Sequence, residues 1–226
     1  MNNAENEKRL AALEAVKHVE DGMTVGLGTG STAYFAIEAV GGMVADGLSI
    51  KAVPTSAATE EQARGLNIPL VTIDDVDEID LTIDGTDEWD DDLNLIKGGG
   101  GALLKEKMVA RFTTKQIIIA DSSKRVEKLG AFRIPVEVLP FAVNFAAKRI
   151  ADMGGSGEIR MREGIYFQTD EKNLIIDADF GLIRDPYLIE HDLNQIEGVV
   201  CNGLFLDLAD MVIVGRGDGV EVFESS

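Results

Sequence analysis

The chain has 226 residues, 45% of them hydrophobic, which is enough to bury a core in one large domain or two modest ones. Its net charge of −19 repels nucleic acids and anionic membranes, so neither is an expected partner. The sequence contains no run of about 18 apolar residues, so we expect no membrane span. The first residues lack the apolar core of a signal peptide. With Cys201 as its single cysteine, the sequence predicts a cytoplasmic protein without an internal disulfide.

The first half of the sequence alternates predicted helices and strands. After an opening helix, the pattern predicts a strand at Met23–Gly28, a helix at Ser31–Val44, a strand at Ser49–Val53, a helix including Glu60–Gly65, and strands at Leu70–Ile73, Asp80–Asp84, Ile96 onward and Gln116–Ala120. This alternation favours a Rossmann-like α/β fold, with a parallel sheet covered on both faces. Ligands bind beyond the carboxyl ends of such strands, where the loops GTGST, PTSAAT, DGTDE and ADSSK are expected.

From about Arg133 the pattern changes. It predicts a strand at Val136–Leu139, a helix at Phe141–Met153, strands at Glu158–Arg162 and Leu174–Ala178, a helix at Pro186–Ile196 and a strand at Val199–Leu206. The order β-α-β-β-α-β is that of a ferredoxin-like α+β unit. Two short strands near the end, Met211–Val214 and Val220–Phe223, are expected to rejoin the first domain. We therefore predict a Rossmann-like catalytic domain at 1–132 and 208–226, and a smaller ferredoxin-like domain at 133–207.

The segment Gly26–Thr32, GLGTGST, lies between a predicted strand and a predicted helix. Glycines allow close backbone approach there, and the helix N-terminus favours a phosphate. A dinucleotide site does not fit, because Ser31 replaces the third glycine of G-x-G-x-x-G and the next strand ends without a carboxylate. A P-loop does not fit either, because G-x-x-x-x-G-K-[ST] is absent. The segment is either a phosphate site or a structural turn.

The segment Asp84–Glu88, DGTDE, follows a predicted buried strand. Two carboxylates three residues apart, Asp84 and Asp87, can both face a ligand above the sheet and suit the hydroxyls of a sugar. The acidic run at 90–92 leaves a divalent cation as the alternative, although no glycine occupies the sixth position of an EF-hand frame. His18 and His191 are the only histidines, so no zinc pattern occurs and we predict no metal.

A third segment, Lys97–Gly101, places four consecutive glycines before a predicted helix. Each costs about 1 kcal/mol relative to alanine if held rigid, which favours close approach of the backbone to a ligand. On that helix the residues three and four positions from Glu106 are all apolar. A carboxylate flanked in this way is expected to be desolvated, as a general base requires, unless it is an exposed partner of a neighbouring lysine. Lys124 lies in the loop ADSSK, just past a predicted strand, and offers a positive charge for an anionic substrate.

Taken in this order and spacing, the segments VGLGTGST, PTSAAT, DGTDE, KGGGGALLKEK, ADSSK and PVEVLP resemble ribose-5-phosphate isomerase type A. The resemblance extends over essentially the whole chain, through IEGVVCNGLF and RGDGVEVF near its end. It implies interconversion of D-ribose 5-phosphate and D-ribulose 5-phosphate in the pentose phosphate pathway. It also implies a phosphorylated pentose as ligand, no cofactor, and a homodimer or homotetramer.

The resemblance also assigns roles to residues of this sequence. Glu106 would be the proton acceptor. The chemistry of the reaction adds that Lys97 and glycine N–H groups would stabilise the negative charge of an enediolate. Asp84 and Asp87 would position hydroxyls and assist opening of the furanose ring. The substrate-binding set that it implies is Thr29, Gly30, Ser31, Thr32, Asp84, Gly85, Thr86, Asp87, Lys97, Gly98, Gly99, Gly100 and Lys124.

Three other functions remain as alternatives at the level of sequence. The first is a different sugar-phosphate isomerase or a deaminase-like relative on a similar fold. The second is a sugar-phosphate-sensing domain, although no helix-turn-helix with a basic face occurs in this acidic chain. The third, a nicotinamide-dependent reductase, disagrees with the glycine spacing described above.

Overall fold

The computed structural model describes residues 3–225. Its six α-helices are α1 Asn3–Ala15, α2 Ala33–Ala45, α3 Ala57–Gly65, α4 Leu103–Arg111, α5 Val143–Asp152 and α6 Pro186–Asn194. Its strands are β1 Thr24–Leu27, β2 Lys51–Pro54, β3 Ile79–Gly85, β4 Glu88–Trp89, β5 Leu95–Ile96, β6 Thr113–Asp121, β7 Ile134–Val138, β8 Ser156–Ile159, β9 Met161–Arg162, β10 Ile165–Tyr166, β11 Leu174–Asp179, β12 Val199–Asn202, β13 Leu204–Phe205, β14 Met211–Arg216 and β15 Gly219–Glu224. Short 3-10 turns occur at Val16–His18, Ile73–Asp75 and Pro140–Ala142.

The contacts divide the chain into two compact units. Within the described residues, the first consists of 3–86, 105–125 and 207–225, and the second of 87–104 and 126–206. Relative to the boundaries predicted from sequence, 87–104 and 126–132 group with the second unit and Asp207 with the first. The predicted boundaries, 1–132 and 208–226 for one domain and 133–207 for the other, stay a prediction.

The first unit contains a six-stranded sheet in the order β15-β14-β6-β3-β1-β2. All neighbouring strands are parallel except β14 and β15, so the two terminal strands join this sheet as predicted. Apolar residues of α1 and α2 pack with Val25 and Leu27 on one face. On the other face, a side chain at Gly26 would overlap Thr82 and Val109, so α4 approaches β1 closely. Helices on both faces confirm the predicted Rossmann-like α/β architecture.

The second unit contains a four-stranded antiparallel sheet in the order β12-β7-β11-β8. Its main elements follow one another as β7-α5-β8-β11-α6-β12, the ferredoxin-like order predicted from sequence. The core combines Val136 and Ile176 of the sheet with Ile150 of α5 and Leu193 of α6. The same unit holds a small sheet of β13, β5 and β4 and a hairpin of β9 and β10.

The strand predicted at Leu70–Ile73 is wrong. Leu70 makes one isolated bridge to Ala52, and Ile73 already belongs to a 3-10 turn. Thr72 and Asp75 close this turn with a reciprocal capping box, in which Asp75 Oδ2 accepts from the Thr72 N–H at 3.1 Å and from its hydroxyl at 2.7 Å. The local cap therefore ends the extended segment after two residues, although the apolar pattern VTI is typical of a strand.

Candidate functional site

The loop after β1 is tied to its neighbours through Thr29. The Thr29 hydroxyl lies 2.8 Å from the hydroxyls of Thr55 and Ser56 and 3.1 Å from that of Thr59. Thr59 in turn donates to the carbonyl oxygen of Gly28 at 2.8 Å. Thr29 therefore links the loop to the start of α3, and its hydroxyl is engaged in the protein rather than directed to a ligand.

Asp84 is the next-to-last residue of β3, at the point where the strand order switches sides, between β1 and β3. Its side chain is fully buried, and Oδ1 accepts from the N–H of Thr29 at 3.1 Å and of Gly85 at 2.7 Å. Gly28 is required here because any side chain would overlap the Asp84 carboxyl group. The predicted residues Thr29, Asp84 and Gly85 thus come together at the carboxyl edge of the sheet.

A cavity of about 830 Å³ lies beside the same loop, in the first unit. Its lining includes Gly30 and Ser31 of the loop, Glu61 and Gln62 of α3, and Lys8 of α1. The Lys8 ammonium donates to the Ser31 hydroxyl at 2.9 Å. Thr32, where α2 begins, makes no side-chain capping bond among the described residues. The partial positive charge of this helix N-terminus and the Lys8 ammonium make the loop suited to an anion.

Lys8 was missed in the sequence because its partner lies 23 residues away. The neighbouring Glu7 explains its position. The buried Glu7 carboxylate accepts from Gly217 N–H at 2.9 Å, and from the Ser122 N–H and hydroxyl at 3.0 and 2.8 Å. These bonds, with the one from the Gly217 N–H strongest, hold the pKa of Glu7 below its ordinary value. Glu7 thereby fixes α1 over the carboxyl ends of β6 and β14, and Lys8 follows it in the helix.

Lys124 lies after β6 in the same unit. The loop 121–124 is closed by the Lys124 N–H, which donates to the Asp121 carbonyl oxygen at 3.2 Å, and by Ser123, whose N–H donates to the Asp121 carboxylate at 3.0 Å. The Lys124 side chain is half-buried. The strand before it, β6, is parallel to β3, so Lys124 lies just past the carboxyl end of one strand and Asp84 lies near the carboxyl end of its neighbour.

Glu106 lies in the first two turns of α4 and is 5% exposed. Val109 and Ala110, three and four residues further along, are equally buried, and Val109 packs with Val53 and Ile79. Glu106 is therefore not the exposed glutamate of the sequence-based alternative. A buried carboxylate in the first turn of a short helix has the protection from water that a general base needs.

The remaining predicted site residues belong to the second unit. Lys97 is 2% exposed, its N–H donates to the Gly203 carbonyl oxygen at 2.9 Å, and its ammonium lies 5.5 Å from the centre of the Phe205 ring. Asp87 is half-buried, and its Oδ2 accepts from the Gly99 N–H at 2.7 Å. Asp87 directly precedes β4 and Lys97 directly follows β5, its antiparallel partner, so a carboxylate and a buried cation lie at the same end of this strand pair.

The glycine segment forms a turn in which the Gly101 N–H donates to the Gly98 carbonyl oxygen at 3.0 Å. Gly98 and Gly101 adopt positive φ angles of 101° and 86°, which disfavour a side chain. A Cβ at Gly99 would lie 2.6 Å from Asp87 Oδ1. Three of the four glycines are therefore explained by the fold itself, and the close approach of this segment to a ligand stays a prediction. Gly99 and Gly100 remain exposed at the tip.

The acidic segment 88–92 is structural. Glu88 accepts from the N–H groups of Gly130 and Phe132 at 2.9 and 2.5 Å. Asp90 accepts from those of Asp92 and Asn94 at 3.1 and 2.9 Å, and burial raises its pKa. Within residues 3–225, no group of three or more acidic, histidine or cysteine side chains could hold a metal ion. No helix in that range is long and apolar enough to cross a membrane.

The predicted site residues thus form two groups. In the first unit the structure brings together the loop 29–32, Asp84–Thr86 and the strand-end loop of Lys124, with the unpredicted Lys8. Glu106 belongs to this unit as well. In the second unit it brings together Asp87 and the segment 97–100. The one sequence signal for Lys8 is indirect: an anionic ligand of such an acidic chain needs basic side chains nearby.

Comparison with known proteins identifies the family of this chain. Residues 51–219 match the family model of ribose 5-phosphate isomerase A (phosphoriboisomerase A). A ribose-5-phosphate isomerase A of Streptococcus gordonii is 48% identical over 223 residues, which cover 98% of this chain and 99% of the relative. One of Ruegeria sp. is 50% identical over 224 residues, 95% of this chain and 86% of the relative.

Solved structures give the same result. A D-ribose-5-phosphate isomerase in complex with phospho-erythronic acid superimposes with a TM-score of 0.95 at 41% identity, covering 98% of this chain and 99% of that one. The ribose 5-phosphate isomerase A of Methanocaldococcus jannaschii has a TM-score of 0.92 at 41% identity, covering 96% and 97%. The chain belongs to the ribose 5-phosphate isomerase A family, aldose–ketose isomerases that interconvert ribose 5-phosphate and ribulose 5-phosphate.

Proposed function

We propose that Glu106 performs this isomerisation as a single base that moves one proton between two substrate carbons. An aldose becomes a ketose when a proton leaves C2 and returns at C1 through an enediolate. One carboxylate can carry out both transfers without a hydride acceptor or a metal. The observation that carries the proposal is the burial of Glu106, which is 5% exposed in the first turn of α4.

We place the phosphate end of the substrate at Gly30, Ser31 and Thr32, with Lys8 and Lys124 supplying positive charge. The cavity beside this loop and the contact between Lys8 and Ser31 support the placement. In a chain of net charge −19, an anionic substrate needs such local cations. Thr29 contributes through the backbone of the loop, because its hydroxyl is already bound to three others.

We assign the sugar end to Asp84, Gly85, Thr86 and Asp87 and to the segment 97–100. The carboxylates of Asp84 and Asp87 suit sugar hydroxyls and can assist ring opening, which exposes the acidic C2 proton. Negative charge on the enediolate oxygen is the difficult part of the reaction, and the buried Lys97 ammonium is the natural group to stabilise it.

The test replaces Glu106 with glutamine, which keeps the size of the side chain and removes the base. Ketose formation from D-ribose 5-phosphate is followed with purified protein in EDTA. We expect kcat to fall by roughly 10²–10⁴, because a positioned general base contributes about that much. Glu60→Gln, the same change in an exposed pair with Arg64, is the control and should stay within about twofold.

Binding of phospho-erythronic acid, the compound present in a related structure, should change little in Glu106→Gln. A kcat within about threefold of the parent would show that another group is the base. A sensing domain would bind the sugar phosphate without turnover in the parent protein. Faster turnover of another aldose phosphate would favour a different sugar-phosphate isomerase.

We further propose that the protein is a cytoplasmic homodimer or homotetramer of the pentose phosphate pathway. The apolar side chains of Leu139, Phe141 and Phe145 in the second unit, 48%, 101% and 49% exposed, support association of copies. The buried Cys201, the single cysteine of the sequence, and a phosphorylated substrate support a reducing interior. Light scattering after size-exclusion chromatography measures the mass, and a monomer would contradict the association.

A further inference from the structure

The turn at 98–101 is held from one side by an arginine that belongs to none of the sequence motifs described above. Arg160 lies directly after β8, and its Nη1 donates to the carbonyl oxygens of Gly98 and Gly99 at 2.9 and 3.1 Å. All of these residues belong to the second unit. One guanidinium therefore binds two consecutive peptide groups of the segment proposed to contact the sugar.

The Arg160 guanidinium is itself fixed. Its Nε donates to Asp177 Oδ2 at 2.9 Å and its Nη2 to Asp177 Oδ1, a bidentate pair with side chains 14% and 23% exposed. It also lies 5.8 Å from the centre of the Phe167 ring. The Phe167 N–H donates to the Arg160 carbonyl oxygen at 2.9 Å. The contacts with the Asp177 carboxylate, the Phe167 ring and the two glycine carbonyl groups together fix the orientation of the guanidinium.

Peptide geometry carries this constraint to the other side of the turn. In a trans peptide the C=O and N–H bonds point in opposite directions. The peptide between Gly98 and Gly99 has its oxygen on Arg160 and its N–H on Asp87, at 2.7 Å. The peptide between Gly99 and Gly100 also has its oxygen on Arg160, so the Gly100 N–H points away from the guanidinium. A cation at the oxygen end also polarises each N–H toward stronger donation.

We propose that Arg160, oriented by Asp177, is a positioning residue for the isomerisation. It aims the Gly100 N–H at the substrate oxygen that becomes negative, and it orients Asp87 through the Gly99 N–H. This inference rests on the proposed contact of the segment 97–100 with the sugar. Because the charge exists only along the reaction path, loss of the alignment lowers kcat more than it raises KM.

The test compares Arg160→Lys with Arg133→Lys. Lysine keeps the positive charge beside Asp177 but cannot bind a carboxylate in two places and two carbonyl groups at once. Arg133→Lys makes the same change in an exposed pair with Glu158 in the same unit. We expect Arg160→Lys to lower kcat by roughly 10- to 100-fold, since a small misplacement of a catalytic group can cost about 10²-fold. KM should stay within about threefold, and Arg133→Lys should match the parent.

Asp177→Asn provides a second variant, which retains the arginine and loses the ionic part of its support. It should lower kcat in the same direction as Arg160→Lys but less. In ¹⁵N-glycine-labelled protein, the amide signals of Gly99 and Gly100 should shift in Arg160→Lys and not in Arg133→Lys. These signals report the turn even in a variant of reduced stability.

Glu106→Gln is measured in parallel. If Glu106→Gln loses kcat while Arg160→Lys keeps it within about threefold, the role of Arg160 is overturned and the proposed base stands. If Glu106→Gln is also unaffected, the proposed function fails. A rise in KM alone, or a loss of stability with unchanged kcat, would make the pair of Arg160 and Asp177 purely structural and would also overturn the proposal.

Discussion

Glu7→Gln tests how α1 is fixed at the sheet edge. Glu7 is 3% exposed and accepts four hydrogen bonds: from Asn3 Nδ2 at 3.0 Å, Gly217 N at 2.9 Å, and Ser122 N and Oγ at 3.0 and 2.8 Å. Glutamine keeps one oxygen and places an amide nitrogen against at least one backbone N–H. An unsatisfied buried donor costs about 1–3 kcal/mol, and the lost charge weakens the other bonds, so we expect a loss of about 2–4 kcal/mol.

The pH dependence has a definite sign. The pKa of Glu7 in the folded protein lies below its ordinary value of 4.5, which describes the unfolded chain. The stabilisation by the carboxylate is therefore fully present above pH 4.5 and is lost as the pH falls through the folded pKa. The difference in unfolding free energy between the parent and Glu7→Gln should be constant from about pH 7 to pH 5 and should shrink below that.

The assay is urea unfolding followed by circular dichroism at several pH values, with Glu14→Gln as the control. Glu14 belongs to the same helix but pairs with Lys17 at the surface, so its loss should cost about 0–1 kcal/mol. Because Lys8 follows Glu7 in α1, Glu7→Gln should also raise KM for the sugar phosphate. A stability within about 0.5 kcal/mol of the parent, or a difference that grows on acidification, would refute the argument.

Three further predictions concern charge. Burial raises the pKa of Glu137 above 4.5, so the charged form of this side chain destabilises the fold as the pH rises past that value. Glu137→Gln should therefore raise the midpoint of urea unfolding at about pH 7, and this gain should vanish on acidification. Lys8→Ala should raise KM about tenfold with kcat nearly unchanged, whereas the control Lys17→Ala should leave KM unchanged. Lys97→Ala should instead lower kcat. Equal effects on KM and kcat in the Lys8 and Lys97 variants would contradict these roles. The net charge of −19 predicts a higher urea midpoint in 1 M than in 0.05 M sodium chloride, because salt screens the repulsion between carboxylates, and a lower midpoint would show that attractive pairs dominate.

Much of the fold was predictable from local pattern. Alternating apolar runs and helical periodicity predicted the parallel sheet, and the order of elements after Arg133 predicted the antiparallel one, later found as β12-β7-β11-β8. The wrong strand at Leu70–Ile73 has a local cause, since the cap between Thr72 and Asp75 outweighed an apolar pattern. The sequence shows the glycines at 98, 99 and 101 as an unusual run. The packing that requires them involves Leu103, Asp87 and Phe167, and the segment alone does not predict it.

The sequence by itself determined the class of fold, the acidic charge, the motifs that carry the family resemblance, and the choice of Glu106 on a helix with an apolar face. These depend on neighbours within a few residues, which periodicity and spacing report. The tertiary structure alone decided that Glu106 is buried, that Lys8 reaches Ser31, and that Arg160 binds the glycine turn from 61 residues away. Such contacts depend on which strands become neighbours in the folded sheet, and a local pattern does not contain that information.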